Sequence, residues 1–180
     1  MPKSTLFISG LSDRHIGVTD ALSSGYLEAA RVCLDRHHGS PQDFAVVDND
    51  VMLEVEVSWI KSDLRIRNAW ANKDDTTEAG AYCFALANAE LTRGLYAVSR
   101  AQGRTGVDYY LGPAGSTPED LEASMRLEVS GTDEGTLGTV TARLKQKMEQ
   151  AARVDSNLPA LATVVGFAVK RILSADVESK

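Results

Sequence analysis

The sequence predicts an α/β protein in which helices flank a mixed sheet. Two observations favour this fold class: long segments whose apolar residues recur at helical spacing, and short apolar runs bounded by turn residues. The helical segments are 19–37, 78–91 and 134–153. Residues 74–173 form the expected core, in the order helix, three strands, helix, strand, and residues 1–73 place a helix and a β-hairpin before it.

Length and composition indicate a single globular domain over residues 1–180. A chain of 180 residues can bury a substantial core, and 43% hydrophobic with 24% charged content is typical of globular proteins. No apolar run approaches the roughly 18 residues that a membrane helix requires, and the first apolar run is too short for a signal peptide, so we expect a cytoplasmic location and no membrane partner. The net charge of −6 argues against broad, nonspecific nucleic-acid binding, which must therefore be argued from a local site.

Two periodicities define the elements before the core. In residues 19–37, apolar side chains recur every three or four positions, which predicts a helix. In 51–59, apolar and polar residues alternate, which predicts a strand with one buried face. An Asx-rich turn connects this strand to 44–47, so the two form a hairpin, and residues 61–73 are expected to be irregular.

The core elements follow in chain order from a helix start at Asp74. The three strands expected next are 95–99, 106–111 and 126–130. The helix over 134–153 has an acidic first turn, which suits the positive end of the helix dipole. The nearly continuous apolar run over 160–169 predicts a strand in the middle of a covered sheet, and the tail from Ser174 is expected to be frayed.

The cysteine and histidine residues do not indicate a metal or nucleophile site. Cys33 and Cys83 fall in helical segments, where a free cysteine packs as a small hydrophobe. His37 and His38 are adjacent, and adjacent helical residues do not face each other. No zinc-ligand spacing, Gly-rich phosphate loop or Ser-His-Asp arrangement is present in the sequence.

Two short strands each carry one acid among apolar neighbours: Asp108 in 106–111 and Glu128 in 126–130. Because burying an unpaired carboxylate is unfavourable, such an acid either faces solvent or lies where a charge is needed. Two acids on successive strands indicate a site, and they could share one Mg²⁺ ion, which binds carboxylate oxygens. The alternatives are that Asp108 faces solvent or acts as a cap at an edge strand, and that Glu128 pairs with Arg126 or a cross-strand partner.

The element order, with Asp108 on the second strand and Glu128 on the third, resembles the PD-(D/E)XK superfamily of restriction-endonuclease-like nucleases, nearest to the compact Holliday-junction-resolvase type. The resemblance covers about residues 76–172. It implies an αβββαβ core and metal-dependent hydrolysis of DNA, with Mg²⁺ or Mn²⁺ as cofactor. The metal ligands that it implies are Glu78, Asp108, Glu128 and the main-chain carbonyl of Val129.

One residue departs from the family pattern, which has a lysine two positions after the Glu128 equivalent where this sequence has Ser130. Some members supply the lysine from the following helix, and Lys147 lies on that helix with Gln150 on the same face. A surface lysine paired with a neighbouring helix acid is the ordinary alternative. The expected catalytic residues are Asp108, Glu128 and Lys147. The expected substrate contacts are Ser130, Gln150 and Arg104.

Three function hypotheses follow. The first is a metal-dependent DNA endonuclease that acts in defence or repair. The second applies if the site is degenerate: a catalytically inactive nuclease-fold subunit or adaptor that forms a homodimer or binds a larger protein, with an apolar patch on the face of residues 51–57. The third is a small-molecule-binding domain in which the same acids hold a polar ligand.

Overall fold

The computed structural model describes residues 3–103 and 107–178. The strands within these residues are β1 (Ser4–Thr5), β2 (Gln42–Asp48), β3 (Val51–Val57), β4 (Leu95–Arg100), β5 (Tyr109–Pro113), β6 (Met125–Thr132), β7 (Ala160–Gly166) and β8 (Arg171–Val177). The helices are α1 (Leu11–Arg14), α2 (Asp20–His37), α3 (Leu64–Ala69), α4 (Lys73–Arg93) and α5 (Leu137–Ala152). The described strands form one sheet in the order β1-β3-β2-β8-β7-β6-β5-β4.

Helices lie on both faces of this sheet. Alternate residues of a strand point to opposite faces, and on β6 the backbone of Gly131 lies against Thr77 of α4, whereas Glu128 contacts Lys147 of α5. Helix α2 packs on α4 so closely that a Cβ atom at Gly80 would lie 3.1 Å from the backbone of α2. The main core therefore lies between the sheet and the α2–α4 pair, with α5 covering the other face.

The predicted α/β class, with a mixed sheet and flanking helices, is confirmed. Elements α4, β4, β5, β6, α5 and β7 follow one another in the predicted order of helix, three strands, helix, strand. Strands β4, β5 and β6 are antiparallel neighbours, and β7 is parallel to β6. The predicted hairpin of β2 and β3 also forms, with Asn49 of its turn at a φ of 51°, which asparagine tolerates better than most residues.

The expectation of a frayed tail from Ser174 is wrong, because Arg171–Val177 form strand β8. The strand runs to Val177, antiparallel to β7 on one side and parallel to β2 on the other. Its buried polar residue is hydrogen-bonded inside the fold: the Ser174 hydroxyl bonds to the side chains of Asn88 and Thr163. β8 therefore joins the N-terminal hairpin to the core in one sheet, so that residues 1–73 are not a separate addition.

Helix α3 occupies part of the segment that was expected to be irregular. The Asp63 side chain caps it by accepting a hydrogen bond from the Ile66 N–H (2.8 Å). Just beyond its end, the Trp70 indole donates to the Glu28 carboxylate of α2 (3.0 Å). These two contacts stabilise a helix that is too short for periodicity to reveal.

The start of α5 differs from the predicted acidic first turn. Helix α5 begins after Thr136, which forms a capping box with Thr139, and Gly135 precedes it with a φ of 114°. Asp133 lies outside the helix, nearly buried after the end of β6. Its ion-pair partners are Arg36 and Lys73, and the His37 ring nitrogen Nε2 lies 3.2 Å from its Oδ1 atom. The acid that was expected at a helix dipole therefore links β6 to α2 and α4.

The apolar face expected over residues 51–57 is covered only near its end. Val55 and Val57 are fully buried, whereas Val51 and the neighbouring Met52 at the hairpin tip are 64% and 75% exposed. In the residues that the structure describes, no helix combines the length and the apolar character needed to cross a bilayer.

Because β8 lies inside the sheet, we expect substitutions of two valines to differ in their effect on stability. Val177 is buried beside Ala151 and Ala162, so Val177→Ala should lower the free energy of unfolding by about 2 kcal/mol. Val51 is exposed, so Val51→Ala should change that free energy by less than about 0.5 kcal/mol. Urea denaturation of both variants measures the difference, and equal stabilities would show that β8 is not part of the folded sheet.

Candidate functional site

Strand β6 continues beyond the end of β5, and this difference in length opens a cleft. The register of the two strands ends at the pair of Tyr109 and Leu127, whereas β6 runs on beside β7 to Thr132. In the described part of the chain, the far half of β6 therefore has a strand neighbour on one side only. A cavity of about 570 Å³ lies along this open edge, bordered by the first turns of α4 and by α5.

Asp108 forms two hydrogen bonds to β6 at the point where the pairing of β5 with β6 ends. The residue stands just before β5, and its N–H donates to the Leu127 carbonyl (2.7 Å). Its carboxylate oxygen Oδ2 accepts a hydrogen bond from the Val129 N–H (2.7 Å), in place of the carbonyl that a longer β5 would supply. Asp108 is therefore fixed at the edge of β6 and lines the cavity.

Tyr82 holds the other oxygen of the same carboxylate. Its hydroxyl donates to Oδ1 of Asp108 (2.7 Å) and accepts from the Arg100 guanidinium (2.9 Å). That guanidinium lies over the rings of Tyr82 and Tyr109, at 4.4 and 4.9 Å from their centroids. Burial and the Asp108 charge raise the pKa of Tyr82, so the phenol stays protonated and able to donate.

No role in this cluster was predicted for Tyr82 or Tyr109 from the sequence. Tyr109 is fully buried, and its hydroxyl bonds to that of Tyr26 (2.6 Å), so packing is part of its role. A signal for Tyr82 was available, since it follows Glu78 by four residues and the two share a helix face. Nothing in the sequence brings Arg100, at the end of β4, to that face.

Glu78 lies in the second turn of α4 and lines the cavity as an exposed side chain. Its Oε1 atom is 3.2 Å from the Tyr82 hydroxyl, which also bonds to Asp108. Both carboxylate oxygens contact the one hydroxyl, so they lie within about 6 Å of one another, and its single proton can be donated to only one of them at a time. The structure therefore brings Glu78 to Asp108 through Tyr82.

Glu128 points to the α5 face of β6 and is almost completely buried. The Lys147 ammonium bonds to its Oε1 atom (2.7 Å) and also to the carboxamide oxygen of Gln150 (3.2 Å). Burial raises the pKa of Glu128, the charge of Asp108 raises it further, and the hydrogen bond from Lys147 opposes both. The structure thus joins Glu128, Lys147 and Gln150 in one hydrogen-bonded group.

The remaining expected residues of β6 also border the cleft. Ser130 lines the cavity, two positions from Glu128 and on the same face of the strand. The N–H and the carbonyl of one strand residue point to the same edge, so the carbonyl of Val129 faces the side on which its N–H bonds to Asp108.

The Arg126–Glu128 pair that the sequence left open does not form. Arg126 is buried, and its guanidinium donates to the carbonyls of Leu158 and Ala151, so it neither pairs with Glu128 nor can reach a ligand there. Arg104, expected to contact substrate, lies outside the described residues.

The donor atoms suit a hard divalent cation, although the described residues contain no group of three or more His, Cys, Asp or Glu side chains placed to hold one. Mg²⁺ is commonly held by one or two carboxylates, and water and substrate phosphate fill its other positions. Asp108 and Glu128 interact electrostatically, and the Val129 carbonyl faces the same edge. The oxygens that could hold Mg²⁺ or Mn²⁺ are therefore those of Asp108, Glu128 and the Val129 carbonyl, of which the Glu128 carboxylate does not line the cavity.

In comparisons with known proteins, no family model, curated protein or solved structure matches this chain.

The raised pKa of Glu128 predicts a change of stability with pH. Because folding disfavours its ionised form, Glu128 contributes stability that is complete below the ordinary pKa of 4.5 and is lost as the pH rises through the folded pKa. We expect Glu128→Gln to melt a few degrees above the wild type at pH 7, with a smaller difference at pH 4.

Glu149→Gln is the matched control for this measurement, because Glu149 is exposed on α5. A Glu128→Gln variant that is less stable than the wild type at pH 7 would show that the attraction of Lys147 outweighs the burial of the Glu128 charge.

Proposed function

We propose that this protein is a metal-dependent endonuclease that hydrolyses phosphodiester bonds of DNA, with a restriction-endonuclease-like αβββαβ core. One observation carries the proposal: the ammonium of Lys147, on the helix that follows the third core strand, lies 2.7 Å from the carboxylate of Glu128, on the strand beside Asp108. A divalent cation held by carboxylates can activate a water for phosphodiester hydrolysis, and a lysine beside them can stabilise the charge that develops on the phosphate.

The order of elements supports the same proposal. The helix, three strands, helix and strand expected from the resemblance correspond in order to α4, β4, β5, β6, α5 and β7. Two of the expected acids, Glu78 and Asp108, line the cleft, and Glu128 is buried on the strand that borders it. A shared element order alone would leave the activity open, because one fold can host many functions.

In the proposed site, Asp108, Glu128 and the Val129 carbonyl would hold Mg²⁺ or Mn²⁺. The bound cation would lower the pKa of an attacking water and neutralise charge that develops on the phosphate. The Lys147 ammonium, oriented by Glu128 and Gln150, would donate to a phosphate oxygen and so stabilise the same charge. In this arrangement, Lys147 supplies the positively charged side chain that the family pattern places at the position of Ser130.

Tyr82 and Arg100 would act on this chemistry through Asp108. Tyr82 donates to one carboxylate oxygen and the Val129 N–H to the other, so the side chain cannot rotate without losing a hydrogen bond. Arg100 completes the support by donating to the Tyr82 hydroxyl while it stacks on the ring. We assign both residues as positioning residues, since neither needs to contact substrate.

A second candidate is an inactive nuclease-fold protein that serves as a subunit or adaptor, as a homodimer or with a larger partner. The ion pair of Glu128 with Lys147 favours it, because this carboxylate already has a cation partner. The exposed Val51 and Met52 at the hairpin tip offer an apolar contact for such a partner.

Cleavage assays separate these candidates. We expect the wild type to cleave linear, single-stranded or branched DNA only with Mg²⁺ or Mn²⁺, and we expect Asp108→Asn, Glu128→Gln and Lys147→Met each to lower the rate by about 100-fold or more. Lys145→Met is the control, because Lys145 is exposed on the same helix and does not line the cavity. Cleavage that survives Asp108→Asn and Glu128→Gln would rule out the site.

Calorimetric titration with Mn²⁺ resolves the remaining case, in which no DNA is cleaved. Binding to the wild type but not to Asp108→Asn would show an intact metal site whose substrate is not among the DNA forms used. The absence of both binding and cleavage would favour the inactive subunit.

A further inference from the structure

Helix α5 presents a row of polar side chains to the cleft. Thr139, Arg143 and Lys147 follow one another at intervals of four residues, and all three line the cavity. Residues at this spacing lie on one face of a helix, with about 5 to 6 Å between their Cβ atoms. Lys147 has a role in the proposed site, whereas Arg143, one turn before it, has none.

The cations that line the cleft differ in how far their charges are already compensated. Lys73 forms ion pairs with Asp133 and Glu134, and Lys147 forms one with Glu128. Arg143 is exposed and donates to the uncharged carboxamide of Gln146 (3.2 Å). Across residues 3–103 and 107–178, no carboxylate lies within ion-pair distance of this guanidinium. Its charge is therefore open to an anion.

The opposite wall of the cleft has the other sign of charge. Asp74 and Glu78 on α4 are exposed and line the cavity, and Glu134 is exposed at its end. An extended anion that entered the cleft would be repelled by these carboxylates and attracted to the α5 wall. A planar guanidinium suits a phosphate in particular, because it can donate two parallel hydrogen bonds to its oxygens.

We propose that Arg143 binds the substrate phosphate next to the one that Lys147 contacts, and so directs the strand along the N-terminal half of α5. This inference rests on the proposed function, since it takes the ligand to be a polynucleotide held at Lys147. It also specifies a small footprint: with a net charge of −6, the protein must bind through a few phosphates at the cleft and not through a broad basic surface.

The test is the salt dependence of binding to a short, fluorescently labelled oligonucleotide, in single-stranded and duplex form, measured by anisotropy without divalent cations so that cleavage does not interfere. We expect Arg143→Gln to weaken binding about tenfold at low salt. The slope of log affinity against log salt should become shallower by about 0.7 for the single strand or 0.9 for the duplex, which corresponds to one phosphate contact.

Two further variants of α5 test whether this result is specific to the Arg143 guanidinium. Lys145→Gln removes one positive charge from an exposed position of α5 that does not line the cavity, so its slope should equal that of the wild type. Arg143→Lys keeps the charge but not the paired donors, so it should keep the wild-type slope and lose only part of the affinity. Equal slopes for the wild type and Arg143→Gln would overturn the proposal.

Steady-state cleavage distinguishes failure of this inference from failure of the proposed function. With Mg²⁺, we expect Arg143→Gln to raise KM while kcat stays near the wild-type value. Cleavage with an unchanged KM and an unchanged slope would overturn the role of Arg143 and leave the nuclease assignment standing. An Arg143-dependent slope with neither cleavage nor Mn²⁺ binding by the wild type would support phosphate binding at α5 and refute the nuclease assignment. The absence of DNA binding, cleavage and Mn²⁺ binding together would overturn both.

Discussion

The difference in length between β5 and β6 is the constraint on which the candidate site depends. Where β5 stops, the exposed edge of β6 carries N–H and carbonyl groups that still need partners. Asp108 satisfies one of them with a side-chain oxygen, and the carboxylate is thereby fixed at the mouth of the cleft. Tyr82 and Arg100 then build on that fixed position from α4 and β4. The same unpaired edge that opens the cavity therefore also places its first functional group.

The two acids of the site are compensated in different ways. Asp108 lies at the edge of β6 and accepts hydrogen bonds from neutral donors, the Val129 N–H and the Tyr82 hydroxyl, with the Arg100 guanidinium 3.7 Å away. Glu128 points to the α5 face of β6, where burial disfavours its charge and Lys147 pairs with it. The two carboxylates therefore have different electrostatic environments.

The sequence predicted the parts of the fold and site that depend on local pattern. Helical and alternating periodicities located α2, α4, α5 and the hairpin, and the order of elements placed Glu128 on the third core strand. Asp108, expected within the second core strand, lies just before β5. Lys147 could be connected to Glu128 because a single helix follows that strand. The role of Tyr82 and Arg100 could not be predicted, since their contact depends on how the end of β4 lies against α4. The prediction of a frayed tail from Ser174 was wrong for a related reason. A polar residue in a central strand is stable only when distant partners, here Asn88 and Thr163, are in place.

The central position of β8 has a consequence for how the protein folds. Strand β2 forms its parallel pairing with β8 from the opposite end of the described chain, so this contact closes one of the longest loops in the molecule. Until β8 arrives, β2 and β7 each expose an open edge that can pair with another chain. We therefore expect slow folding for a domain of this size and a tendency of partly folded chains to aggregate, because late, long-range strand pairing prolongs the lifetime of such edges.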